Sequence, residues 1–219
     1  MNQRLKIDFV SDVSCPWCVI GLHSLLRAAS NLKDEVTLDL HFQPFELNPK
    51  MPPEGQDITE HLVQKYGGSP EQFAQSREMI RVRGADLGFT FNMDQRARIY
   101  NTFDAHRLLH WAGLEGKQLA LKKALFKAYF TDGKNPADHA VLTATAAEVG
   151  LDAQRAAQIL ANNEFTKEVR AQEIFYQGNG IHAVPAVIIN DRHLIQGGQP
   201  VEAFEQALRE IAAEVHTSA

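Results

Sequence analysis

The 219 residues predict an α/β fold in which a small sheet-and-helix core is interrupted by an all-helical insertion. Three observations carry that prediction. Strand patterns stand near both ends of the chain, a long run of glycine-punctuated helical patterns separates them, and the last strands close as a hairpin ahead of an amphipathic helix.

Residues 5–10 (L-K-I-D-F-V) have strand composition, and the next apolar series, Val19, Leu22, Leu25, Leu26 and Ala29, is spaced as one face of a helix. Residues 36–42 alternate apolar and polar with period two, which gives a second strand and a β-α-β unit over 5–42. From Asp57 the character changes. Asp57-Ile-Thr-Glu60 and Ser69-Pro-Glu-Gln72 both have the layout of a capping box. Helices are expected from there to about Gln177, with stops at Gly67-Gly68, Gly88, Gly113, Gly133 and Gly150 and further starts at Asn135-Pro136 and Asp152. That makes about six helices, with one short extended piece at 89–91. Strand pattern returns at 186–189, turns through 190–192 and resumes at 193–195. After Gly197-Gly198, a final helix over about 200–213 carries Val201, Phe204, Leu208 and Ile211 on one face.

Removing the helical block leaves β-α-β-β-β-α, the minimal thioredoxin arrangement. The expected division is therefore a discontinuous thioredoxin-like domain, 1–54 with 177–219, and a helical insertion domain, 55–176.

Composition narrows the function. A net charge of -5 comes with acidic and basic residues interleaved, so no positive stripe is available for phosphate backbones and nucleic acid is not expected as a partner. No stretch approaches the roughly 20 apolar residues that cross a bilayer. Residues 1–10 lack the basic start and unbroken apolar run of a secretory signal, so a cytoplasmic location is expected. No motif specifies an oligomeric state.

The chain has only two cysteines, Cys15 and Cys18, in the run Cys15-Pro16-Trp17-Cys18 at the first strand-to-helix turn. None remain for a structural disulfide framework, so the pair reads as a reactant. Thiol-disulfide exchange needs one accessible thiolate to attack and a second thiol to resolve the mixed disulfide. At a helix start, unpaired backbone N–H groups and about half a positive charge favour the thiolate of Cys15. Cys18, one turn in, is shielded. Pro16 suits the first helical position, having no N–H to leave unpaired, and Trp17 falls on the rim around the reactive sulfur. A C-x-x-C can also be half of a zinc site, but the remaining ligands would have to come from the nine histidines. His23 is the nearest, and no histidine pair stands at zinc-finger spacing, so no metal is expected. Val184-Pro185 precedes the third core strand, where residue type alone marks only a strand start.

The run from Ser11 to Gly21, together with Phe45-Glu-Leu-Asn-Pro49, Asn101-Thr-Phe-Asp-Ala-His-Arg-Leu108, Val184-Pro185 and Gly197-Gly-Gln199, resembles the FrnE-like branch of the DsbA family over essentially the whole chain. The resemblance implies Cys15 as attacking thiol, Cys18 as resolving thiol, and Pro185 as a cis-proline facing them, with the backbone of Val184 pairing with substrate beside Pro16 and Trp17. Ser14 and Val19 depart from the bulkier residues common in the family, and Ala183 stands where glycine often precedes the valine. All three are expected to alter the surface a substrate meets.

Asp8, in a strand expected to be central, is either a proton acceptor for Cys18 or a solvated or salt-bridged carboxylate. Asp12, nearer the motif, is either an N-terminal loop cap or a group that assists proton transfer. Asn101, His106 and Arg107 share one expected helix, which the resemblance turns toward the redox site, while core and capping roles are the default for each. The leading function is disulfide exchange with protein or small-molecule thiols and disulfides. No bound cofactor is expected, with glutathione a candidate redox partner. The alternative is a glutathione-dependent isomerase or transferase, resembling 2-hydroxychromene-2-carboxylate isomerase and kappa-class glutathione transferase, although those relatives usually carry serine where this chain has Cys15. A non-catalytic binding module would not need the intact pair.

Overall fold

A computed structural model describes residues 2–217. Its main sheet has four strands, β1 (Gln3–Ser11), β2 (Val36–Pro44), β5 (Ala186–Ile189) and β6 (His193–Gln196), in the order β2-β1-β5-β6. β1 runs parallel to β2, with Phe9 opposite Phe42, and antiparallel to β5, with Phe9 opposite Val187. β5 and β6 form the expected hairpin, turned by Asn190 and Asp191 at φ 51° and 57°. Two consecutive left-handed residues are what a type I′ turn requires, and Asn and Asp tolerate them best after glycine.

Alternation along β1 divides the core. Leu5, Ile7 and Phe9 face α1 (Pro16–Asn31) and α9 (Val201–Thr217), meeting Cys18, Val19, Leu22, Phe204 and Leu208. Val10 faces the other way, with Ala186, Ile181 and Tyr176 of α8 (Thr166–Gly178). Asp8 shares that second face by the same period of two.

Between β2 and β5 lie α2 (Ile58–Tyr66), α3 (Pro70–Asp86), α4 (Phe103–Leu114), α5 (Gln118–Phe130), α6 (His139–Glu148), α7 (Ala153–Ala161) and α8. The block thus holds one helix more than expected, because the segment opened by Asp152 splits into α7 and α8. The break carries no glycine; Asn163 and Phe165 adopt φ 53° and 61° and reverse the chain. Ser69 and Gln72 form the reciprocal capping box, whereas Asp57 caps Thr59 and Glu60 one way only. Three further expectations are corrected. Gly113 lies inside α4, and the chain reverses at Gly116, φ 66°. α6 starts after Asp138, not at Asn135-Pro136, because the Asp138 carboxylate accepts from Ala140 and Val141 while Asn135 closes only the preceding turn onto Ala137. Residues 89–91 form no strand: Phe89 and Phe91 stack edge-to-face, ring centroids 4.8 Å apart, and a two-residue ladder joins β3 (Gln56–Asp57) to β4 (Arg98–Ile99) instead.

Candidate active site

β1 ends at Ser11, and the chain turns through Asp12, Val13 and Ser14 into α1, with Cys15 at its N-cap and Pro16 at the first helical position. Asp12 holds that turn. One carboxylate oxygen accepts from Ser14 N at 3.0 Å and the other from Leu47 N at 2.7 Å, while its carbonyl accepts from Cys15 N at 3.2 Å. His106 of α4 stands 3.8 Å from the same carboxylate and 3.1 Å from the Phe45 carbonyl. Burial works against the charge of Asp12, but His106 and the N–H groups of Leu47 and Ser14 outweigh it and hold the carboxyl below its ordinary range. Asp12 is thus the cap that the sequence indicates.

Cys15 makes no side-chain cap bond, so its sulfur does not bind the first backbone N–H groups of the helix it begins. It lies 3.2 Å from Cys18 and donates to the Val184 carbonyl at 3.7 Å. The Val184–Pro185 peptide is cis, and Pro185 packs beneath the cysteine helix. A Cβ at Gly21 would sit 3.1 Å from the Pro185 ring, and one at Gly198 would sit 2.9 Å from the Trp17 carbonyl, so glycine at both positions lets helix, proline loop and the turn after β6 close on one another. Cys18 is fully buried. Burial first, then the hydrogen bond and charge of Cys15, push its thiol well above the ordinary value, against the pull of Lys122.

Cys15 opens into a cavity of about 380 Å³ whose walls include Trp17, Leu47, Tyr66, Phe73, Met93 and Arg96. Pro16, Ser14 and Val184 also border it. The Arg83 guanidinium lies over the Trp17 ring, 5.3 Å from its centroid. Arg96 is buried, its Nε and Nη1 have no hydrogen-bond partner, and its charge rests on the rings of Tyr129 and Phe130, about 5 Å away.

Several expected residues fall elsewhere. Asp8 is turned to the α8 face, where it pairs with Lys6 at 3.1 Å and accepts from Gln43 at 2.6 Å; the salt-bridged reading holds, and Asp8 does not serve Cys18 directly. Asn101 precedes α4, bonding Glu46 at 2.9 Å and capping Phe103 N. Arg107 binds Asp104, the Ile159 and Leu160 carbonyls at the end of α7 and the Glu164 carbonyl in the turn after it, none of them near the cysteines in sequence. Val19 is wholly buried, so its departure from the family cannot alter a substrate-facing surface; Ser14 lines the cavity and Ala183 is exposed. Lys122 and Arg96 were not singled out in the sequence. Lys122 had a signal, a lysine four residues before Phe126 on an otherwise apolar face. Among the described residues no group of three or more His, Cys, Asp or Glu could hold a metal ion, and no helix is long and apolar enough to cross a membrane.

Residues 6–209 match the model of the DSBA-like thioredoxin domain. The chain belongs to that family. A probable DsbA oxidoreductase from Streptomyces coelicolor superposes with a TM-score of 0.86 at 31% identity, covering 94% of this chain and 89% of that one. The uncharacterized Bacillus subtilis protein YwbO is 27% identical over 94% of this chain and 96% of its own. The cytosolic disulfide reductase DsbM from Pseudomonas aeruginosa, solved with GSH, shares the fold at a TM-score of 0.65 and 17% identity, over 94% of this chain and 98% of that one. Membership in this DsbA-like family makes the chain a thiol-disulfide oxidoreductase at family level, with thiol or disulfide substrates.

Proposed function

We propose that this chain exchanges disulfides with protein or small-molecule thiols through Cys15 and Cys18. The observation that carries the reading is the placement of the Cys15 sulfur, free of helix-capping bonds, at the positive end of α1, between a substrate-sized cavity and the Val184 main chain. In the oxidising direction, a substrate thiolate attacks the Cys15–Cys18 disulfide and leaves as a mixed disulfide on Cys15. In the reducing direction, Cys15 attacks the substrate disulfide and Cys18 then attacks the Cys15 sulfur, expelling the substrate thiolate. Pro16, Trp17 and Val184 form the contact surface in either direction. Glutathione, which DsbM was solved with, is the candidate small redox partner, because the cavity that Cys15 borders also has the cationic Arg96 in its wall to attract its carboxylates. The buried second thiol favours exchange over a glutathione-dependent isomerisation, which needs no resolving group. Cys18→Ser should accumulate DTT-sensitive adducts on Cys15 while Cys15→Ser accumulates none; equal trapping by both variants would overturn the roles.

A further inference from the structure

The resolving thiol needs somewhere to put its proton, because only the Cys18 thiolate can attack the mixed disulfide. The carboxylates within reach are committed. Asp8 lies on the far face of β1 with Lys6 and Gln43, and Asp12 is held charged by Ser14, Leu47 and His106. Lys122 of α5 packs on the rings of Phe42 and Phe126, which share one core with Cys18. It is fully buried, and its Nζ has no hydrogen-bond partner. Only the rings of Phe42 and Phe126, 5.7 and 5.0 Å away, face it as π-surfaces. An isolated ammonium in such a place is costly, so the amine form is within reach.

Lys122 borders a small internal cavity of about 10 Å³, at the lower edge of the ~10–15 Å³ that one water requires. Gln43, whose Oε1 is likewise buried and unpartnered, lines the same cavity, and so do His106, His110 and Gln172. Gln43 and Gln172 also line a cleft on the α8 side that contains Asp8, Lys6 and His41, and Gln43 Nε2 reaches Asp8. Polar groups therefore run from Lys122 through the sheet edge to that cleft.

We propose that Lys122 accepts the proton of Cys18 during resolution, holds the resulting charge beside the thiolate, and releases the proton through the Gln43 cavity to the cleft at Asp8. The inference rests on the Cys15/Cys18 reading above. The step balances: Cys18–SH passes H⁺ to the Lys122 amine, the Cys18 thiolate bonds to the Cys15 sulfur, and the bond from Cys15 to the substrate sulfur breaks with its electron pair. Two electrons thus pass from the cysteine pair to the substrate. The groups acting on Lys122 are Cys18 and Cys15 from α1, Asp12 from the turn before it, and His106 and His110 from α4 across the cavity. Burial, partly opposed by Cys18, Asp12 and Cys15, brings Lys122 down to about 8.

The test is the reaction of the reduced protein with DTNB in a stopped-flow instrument. The first thionitrobenzoate released reports attack by Cys15, and the second reports resolution by Cys18. Lys122→Met replaces a buried unpaired charge by an apolar chain of similar length, so the fold should persist. The first phase is expected to stay within about twofold of the parent protein, while the second slows about tenfold or more near neutral pH and no longer levels off above about 8. A second phase unchanged in rate and pH profile in the folded variant overturns the proposal. Failure of the first phase in the parent protein would instead overturn the Cys15 assignment. Should Lys122→Met not fold, the parent protein decides: a second phase rising through about pH 8 and then levelling supports Lys122, and one still rising toward the range of Cys18 itself refutes it.

Discussion

The buried carboxylate of Asp12 stands 3.8 Å from His106 Nε2, and through the amides of Ser14 and Leu47 this pair ties the reactive turn of the core to the helical block. The folded-state carboxyl lies below its ordinary range, so its contribution to stability is fully present above the unfolded value, about pH 4, and is lost as pH falls through the folded value. Asp12→Asn should lower stability near neutral pH by roughly 1.5–3 kcal/mol, as expected for a charged hydrogen-bond acceptor. Its urea midpoint should also fall less steeply than that of the parent protein as pH drops below about 4. Parallel curves for the two proteins would assign the carboxylate no linked role.

The two thiols should differ sharply toward an alkylating agent. Cys15 borders the cavity, whereas Cys18 is fully buried and its thiol is pushed well up by burial and by Cys15. Reduced protein treated with iodoacetamide near neutral pH should take one label, on Cys15, and accept a second only on unfolding. Peptide mass spectrometry reads the site; early double labelling would contradict the packing of Cys18.

Much of this architecture was legible because it is written in local chemistry. Asn190-Asp191 can make a hairpin turn, Ser69 and Gln72 can cap each other, and Pro16 after Cys15 suits a helix start. What the sequence hid is set by long-range partners. A carboxylate in β1 reads the same whether it faces Cys18 or, as Asp8 does, Lys6 and Gln43. Arg107 matches a family motif, yet besides Asp104 its partners are the carbonyls of Ile159, Leu160 and Glu164, more than fifty residues away. Arg96 looks like a surface cation until the rings of Tyr129 and Phe130 bury it, whereas Lys122 is marked by the apolar face of α5 around it.

The close approach at Gly198 gives a sharp test of how the site is built. Alanine there would place its Cβ 2.9 Å from the Trp17 carbonyl and 3.2 Å from the indole ring, against the backbone of the helix that carries both cysteines. Gly198→Ala should cost about 1–3 kcal/mol of stability through overpacking. It should also shift Trp17 fluorescence and slow exchange. Unchanged fluorescence and rate would show that the turn after β6 yields freely.

Arg107 separates a structural role from a redox one. Its guanidinium is fully buried among Asp104 and three carbonyls at and just after the end of α7. Removing it leaves the Glu164 carbonyl without its donor, while Ile159 and Leu160 keep the amides of Glu164 and Asn163 and Asp104 keeps His139, so Arg107→Met should lose about 1–3 kcal/mol. Exchange per folded molecule should be unchanged, since neither Arg107 nor these partners line the cavity that Cys15 borders. A folded variant with slower exchange would return this residue to the active site.

Arg96 bears on the choice of substrate. Burial works against its charge, while Tyr129 and the Cys15 sulfur work for it, and no carboxylate compensates it from within the described fold. Arg96 lines the wall of the cavity beside the nucleophile, where its charge attracts an anionic substrate, although Nε and Nη1 themselves are closed to solvent. Arg96→Met keeps the apolar wall and removes the charge. It should therefore raise KM for glutathione disulfide about tenfold or more, the loss of a charged hydrogen bond worth ~1.5–3 kcal/mol. With a neutral small disulfide such as oxidised mercaptoethanol, KM should stay within about twofold, because no carboxylate is present to lose its partner. Thermal stability should hold or rise, since an uncompensated buried cation is gone. The comparison of the two substrates is what decides: equal losses with both would mean that Arg96 acts on Cys15 itself, and no loss with either would leave the cavity without an anion subsite.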